Sequence, residues 1–210
     1  VAGYHDGKVT VVHTHKDGRL GSVMDGVFHK GLGSVAERNF RPHVNCVNIT
    51  PDQKYLCAVD LGVDQVKIYK FNHETGKITL VDMLRCELES APRIIKFSPD
   101  GRFAYLICEL KNYISVYSYK DGPRGPVFEL LQTISTLNDY HSSGSAACVL
   151  RFSRDWKYVL CSNAGDNSIG IFKIDRETGK LEKICILPIS GDYPKAADFF
   201  PDNRHIMALN

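Results

Sequence analysis

A turn that recurs four times governs what this chain can fold into. Thr50-Pro51-Asp52, Ser98-Pro99-Asp100, Ser153-Arg154-Asp155 and Phe200-Pro201-Asp202 are centred on positions 51, 99, 154 and 201, so they stand 48, 55 and 47 residues apart. Proline presets φ and a short polar side chain can bond its own backbone, so each triplet marks a turn between apolar stretches. Behind the first three turns come strand-like runs over residues 55–59, 103–107 and 158–162. A further strand follows each of them, at Val66-Lys67-Ile68-Tyr69, Ile114-Ser115-Val116-Tyr117 and Ile169-Gly170-Ile171-Phe172, alternating as a half-buried strand does. Glu74-Thr75-Gly76-Lys77 and Glu177-Thr178-Gly179-Lys180 read as hairpin turns whose glycine takes positive φ, leading into fourth strands over 78–84 and 181–187. Lys16-Asp17-Gly18-Arg19 marks a similar turn in an earlier, incomplete unit.

Four short strands per unit of about 50 residues, with no amphipathic helical window, predict the blades of a β-propeller. A β-sandwich also has many short strands, but it does not require near-identical four-strand units in fixed order. The expected class is therefore all-β, a β-propeller of four-stranded antiparallel blades, with about four blades' worth in one propeller region over 1–210. Residues 1–40 form a partial blade with strands near 9–12 and 23–28. Full blades cover 41–90, 91–137 and 138–190, and 191–210 opens another. A ring closes with roughly four to eight blades. The chain starts on Val1 and stops inside an apolar run, so it is expected to be a fragment of a longer protein.

Charge narrows the partners. With 26 Lys+Arg against 24 Asp+Glu, the formal charge of +2 argues against a nucleic-acid polyanion. The apolar runs are strand-length, far short of the roughly 20 residues of a membrane-spanning helix, so no membrane partner is expected. Seven cysteines make an odd count without a C-x-x-C pair, which reads as free thiols in a reducing, cytoplasmic setting. No basic segment followed by an apolar one suggests export.

Aligning the units separates shared positions from individual ones. Before the first strand of each unit the equivalent column reads Asn45, Arg93, Cys148 and Lys195, and after the second strand it reads Leu61, Glu109 and Ala164. In a propeller the innermost strands line a channel, so Arg93, Glu109, Lys195 and the nearby His43 are expected to face a common funnel. Two cations suit a carboxylate or phosphate, a carboxylate can orient water, and an imidazole can move a proton. The plainer alternative is that charged residues at strand ends are solvated or paired with one another.

At these residues the sequence resembles the lactonase family of seven-bladed β-propellers, which includes bacterial 6-phosphogluconolactonases and the fungal carboxy-cis,cis-muconate cyclase. The resemblance is carried by Arg41-Pro42-His43, Thr50-Pro51-Asp52, Asp60-Leu61-Gly62-Val63-Asp64, Ala91-Pro92-Arg93, Phe97-Ser98-Pro99-Asp100-Gly101, Glu109-Leu110, Ser162-Asn163-Ala164-Gly165 and Tyr193-Pro194-Lys195. It places the chain in the middle stretch of the family. It implies catalytic roles for His43, Arg93 and Glu109, substrate binding by Arg93, Lys195 and Asn45, and no metal or other cofactor. The implied partner is a small sugar lactone, with 6-phosphoglucono-δ-lactone in first place; the oligomeric state is left open. The family pattern carries Arg where this chain has Ala164, often His where it has Ile94, a second His where it has Asn45, and commonly Arg at Lys195. These departures motivate a second reading, a propeller without catalysis that serves as a ligand-binding or protein-interaction module. A muconate-type cycloisomerase is a third.

Other motifs weigh less. His13-Thr14-His15 puts two imidazoles on one strand face, a start for a metal site, but no third ligand is near in sequence. Asp60-x-Gly-x-Asp64 lacks the later Glu of a calcium loop and reads as a turn in which Asp64 caps the following strand, as Asn112 and Asn167 do in their units. Residues 120–126 are expected to form a surface loop. Residues 138–145, with His141, Ser142 and Ser143, are an insertion that decorates or covers the funnel; the serines lack the strand–turn–helix setting of a nucleophile elbow.

Overall fold

The computed structural model describes residues 1–34, 39–140 and 143–210. Its strands fall into five antiparallel sheets in chain order. The first holds β1 (Ala2–Gly3), β2 (Lys8–Thr14) and β3 (Leu20–Phe28). The second holds β4 (Val44–Ile49), β5 (Tyr55–Asp60), β6 (Gln65–Phe71) and β7 (Ile78–Arg85). The third holds β8 (Pro92–Phe97), β9 (Phe103–Cys108), β10 (Tyr113–Gly122) and β11 (Gly125–Ser135). The fourth holds β12 (Ala146–Phe152), β13 (Tyr158–Ala164), β14 (Ser168–Ile174) and β15 (Leu181–Pro188). The last pairs β16 (Ala196–Phe199) with β17 (Ile206–Leu209). Each four-stranded sheet is a meander in sequence order, as a propeller blade is. Among the described residues no helix is long and apolar enough to cross a membrane.

Three of the four repeated turns share one hydrogen-bond plan. The Ser or Thr hydroxyl donates to the Asp carboxylate two residues on, at 2.6 Å in Thr50–Asp52 and Ser98–Asp100 and 2.8 Å in Ser153–Asp155. The same hydroxyl accepts the backbone N–H of the first residue of the next strand, Tyr55, Phe103 or Tyr158, each at 3.0 Å. The residue after the Asp takes positive φ: Gln53, Gly101 and Trp156. Asp64, Asn112 and Asn167 all sit in the left-handed region, at φ 53, 52 and 53, just before the third strand of their sheets. Their side chains bond the loop that leads onward. Asp64 accepts from the N–H groups of Glu89 and Ala91, Asn112 donates to the Ser145 carbonyl, and Asn167 accepts from the Tyr193 N–H.

Two compact units partition the chain: residues 1–95 with 121–127, and residues 96–120 with 128–210. In the first, Val9, Val44, Leu56, Ala58, Tyr69 and Ile78 form a buried apolar cluster. Ile78 also donates its N–H to Asp25 at 2.9 Å, tying the second sheet to the first. In the second, Val149, Leu160, Ile169 and Ala197 cluster with Phe199 and Ile206 around them, and Tyr105 donates to the Gly179 carbonyl at 2.9 Å.

Two details differ from expectation. The partial blade at the start has a third, two-residue strand, β1. Residues 120–126 are not a loop: β10 and β11 run through most of them, leaving Pro123 and Arg124 as the turn. Asp121 explains the extension, because it accepts from Lys54 at 2.5 Å and from the Tyr55 hydroxyl at 2.8 Å. Of the 138–145 insertion, His141 and Ser142 lie outside the described residues.

Candidate active site

His43 precedes β4 and is 4% exposed. Its Nδ1 lies 2.9 Å from the Tyr4 carbonyl oxygen, which can only accept, so Nδ1 is the donor and, in the neutral ring, Nε2 is the nitrogen with the lone pair. The Tyr4 ring stacks on the imidazole at 4.5 Å and Phe40 meets it edge-on at 6.0 Å. Orientation and tautomer are therefore both set by neighbours.

The backbone of His43 is held by the Asp60–Asp64 turn. Asp60 Oδ1 accepts the N–H of His43 at 2.8 Å and that of Gly62 at 3.1 Å, while Leu61 donates to the His43 carbonyl at 3.0 Å. Gly62 permits this approach: a Cβ there would overlap the Arg41 carbonyl oxygen and lie 3.0 Å from His43 Cδ2. The other carboxylate oxygen, Oδ2, meets His29 Nδ1 at 2.6 Å, with both side chains wholly buried. Tyr69 completes the chain, its hydroxyl 3.0 Å from His29 Nε2. Burial, and then the charge of Asp60, push the Tyr69 hydroxyl up to about 12, so it remains a donor. A neutral His29 that donates to Asp60 and accepts from Tyr69 satisfies both of its ring nitrogens. Beside them Lys67 is 7% exposed; burial lowers its pKa and Asp60 opposes the shift.

Sequence reasoning overlooked His29, Tyr69 and Tyr4, and read Asp60 as a turn residue. An isolated His after an apolar strand carries no pattern, and its partner stands 31 positions away.

The Asn45–Arg93–Cys148 column has a structural basis. Pairing steps from Val44↔Asp60 to Cys46↔Val59, and from Ala147↔Asn163 to Val149↔Ser162, so Asn45 and Cys148 are each the extra residue of a bulge. Bulges re-aim side chains and collect beside functional sites. Asn45 and Arg93 are brought together, the Asn45 amide donating to the Arg93 carbonyl at 2.9 Å. One step on, Asn48 donates to the Ile95 carbonyl at 3.1 Å. Arg93 itself is half-buried.

Glu109 and Lys195 belong to the second unit. Glu109 follows β9, is 1% exposed and accepts the Ala147 N–H on its backbone carbonyl at 3.0 Å. Ala164, in the same column, is 1% exposed. Lys195 is exposed, its Nζ 5.8 Å from the centroid of the Tyr193 ring. An apolar groove of about 290 Å³ in this unit, lined by Phe103, Tyr105, Trp156 and Arg176, borders the Ser98 and Ser153 turns. It thus lies at the strand ends opposite those that carry Glu109 and Ala164.

Thiol chemistry has little support. Burial pushes the Cys57 thiol far up and that of Cys161 to about 12, so neither supplies a thiolate. No disulfide joins any of the seven cysteines. Among the described residues no three His, Cys, Asp or Glu side chains group as a metal cage.

Four-stranded meanders, repeated turns and bulged inner strands define a β-propeller of the all-β class. A family model described as lactonase, 7-bladed β-propeller, matches residues 1–210, and the chain belongs to that family. It is 30% identical over 209 residues to the 6-phosphogluconolactonase of Bacillus subtilis, covering 100% of this chain and 58% of that protein. Among solved structures it is similar to a periplasmic gluconolactonase of Pseudomonas aeruginosa, with TM-score 0.90, 29% identity and coverage of 99% and 58%. A putative 6-phosphogluconolactonase of Bacteroides fragilis gives 0.86, 30%, 99% and 58%. The chain thus spans less than two thirds of the length of these relatives.

Proposed function

We propose that the protein containing this chain hydrolyses a sugar lactone, with 6-phosphoglucono-δ-lactone as substrate. The observation that carries the reading is His43, a buried imidazole whose Nδ1–H is committed to the Tyr4 carbonyl so that Nε2 is the basic atom. The 30% identity to a 6-phosphogluconolactonase across the chain supports the choice of lactone.

In the proposed reaction His43 Nε2 or the Glu109 carboxylate takes a proton from water. The resulting hydroxide adds to the lactone carbonyl carbon, the ring C–O bond breaks, and the proton returns to the departing alkoxide, leaving the hydroxy acid. Arg93 supplies charge for the developing oxyanion, and Lys195 attracts the substrate phosphate as a point charge. Asn45 holds the Arg93 backbone through one N–H of its amide, and its part is to bind substrate with the rest of that amide group.

The test is lactone disappearance above the spontaneous rate with purified full-length protein. Turnover is expected, with kcat falling by about 10²–10⁴ in His43→Gln or Glu109→Gln. No acceleration by the wild type would end the reading. A non-catalytic binding module draws support from Ala164, which leaves the column without the arginine of the family pattern. Saturable lactone binding without turnover, unchanged by Ala164→Arg, would favour it.

A further inference from the structure

The hairpin of the first sheet carries two imidazoles that the proposed hydrolysis does not use. His13 lies in β2 and His15 just beyond it, both exposed. Residues two apart share a strand face, and the two rings stand 4.9 Å apart at 84°. That face is the one whose inner part carries Val9 and Val11, which pack in the first unit's core. Where an apolar stripe would continue outward, two imidazoles stand instead.

Opposite them β3 carries Gly21. Pairing steps there from Val12↔Val23 to Thr14↔Leu20, so β3 contains an extra residue at this point. A Cβ on Gly21 would lie 2.9 Å from His13 Nδ1 and 3.0 Å from His15 Nε2. One ring nitrogen of each histidine thus borders the same small space, and the missing side chain keeps that space open. A glycine within a strand often marks such a close approach. Asp17, the nearest carboxylate in sequence, is engaged by Arg19 Nε at 2.7 Å.

We propose that His13 and His15 form a two-imidazole site for a divalent late first-row transition ion, with Cu²⁺ the tightest and Ni²⁺ and Zn²⁺ weaker. Imidazole nitrogen suits this group of ions, and their affinities peak at copper. Bonds of about 2.0–2.1 Å to nitrogen require both rings to close on the ion, which exposed side chains can do by rotation. Water fills the remaining positions. With two protein ligands the site loads and unloads reversibly on a folded protein and does not hold the fold together.

The experiment titrates Cu²⁺ into the full-length protein by calorimetry and records the electron paramagnetic resonance spectrum at one equivalent. The expected result is a tightest site with coupling to two imidazole nitrogens. His13→Ala and His15→Ala should each weaken it by about tenfold or more, with His205→Ala without effect. Gly21→Val keeps both ligands but fills the space between them, and it should weaken binding as the ligand variants do. Copper affinity unchanged in both His→Ala variants overturns the proposal, and so does Gly21→Val binding as the wild type does. Should Gly21→Val fail to fold, the two His→Ala variants decide alone.

Discussion

Asp60 shows how much one buried carboxylate can organise. It accepts from two backbone N–H groups and from His29, and it is itself wholly buried. Asp60→Ala leaves three donors without their acceptor, and a buried donor left unsatisfied costs about 1–3 kcal/mol. Urea unfolding should show that loss, whereas Tyr69→Phe, which removes one neutral hydrogen bond, should cost about 1 kcal/mol. Gly62→Ala is expected to be as damaging as Asp60→Ala for a different reason: the overlap with the Arg41 carbonyl forces the His43 segment away. Its unfolding midpoint should fall, and a midpoint equal to wild type would contradict the tight approach. At this scale the sequence was partly legible. Asp64 could be assigned as a cap because Asn112 and Asn167 repeat its position. Asp60 could not be read in that way, since the corresponding residues of the next two sheets are Cys108 and Asn163 and its partner His29 follows a strand of a different sheet.

Elements were the most legible level, because turn chemistry and alternation are local and recur. The Ser/Thr-x-Asp turns fold as expected, each hydroxyl shared between a carboxylate and the next strand. Bulges at Asn45 and Cys148 were not legible, since an extra residue in a ladder shows up only once the partner strand's register is known. Turn and strand carboxylates together set an acid limit. The Ser153 hydroxyl holds Asp155 below the usual carboxylate range, the Thr178 hydroxyl and the N–H groups of Glu177 and Thr178 do so for Asp175, and the Ile78 N–H does so for Asp25. A carboxylate lowered on folding stabilises the protein above its unfolded value near 3.9, and that contribution is lost as pH falls through the folded value. Thermal midpoints should therefore hold from neutral pH to about pH 4 and drop below it. Asp155→Asn combined with Asp175→Asn should flatten that drop, and an unchanged acid slope would contradict the assignment.

Over the whole chain, the blade architecture follows from a repeat visible in the residues and the family from the motifs that resemble it, while the arrangement around His43 depends on segments that meet only after folding. Tyr4, for example, belongs to the β1–β2 connection, yet its carbonyl fixes the tautomer of a side chain 39 positions later. That connection looks expendable from outside: His5 and Asp6 are exposed, and only Gly7 behind them is buried, with its α-carbon close against Pro42. Surface tips of this kind are where insertions and proteolytic nicks are usually tolerated. Here, a protease site grafted between His5 and Asp6 should leave circular dichroism and the melting midpoint close to wild type after cleavage, yet silence lactone turnover. A spot that a protein engineer would choose for a tag is thus the strut that keeps the proposed base facing the right way.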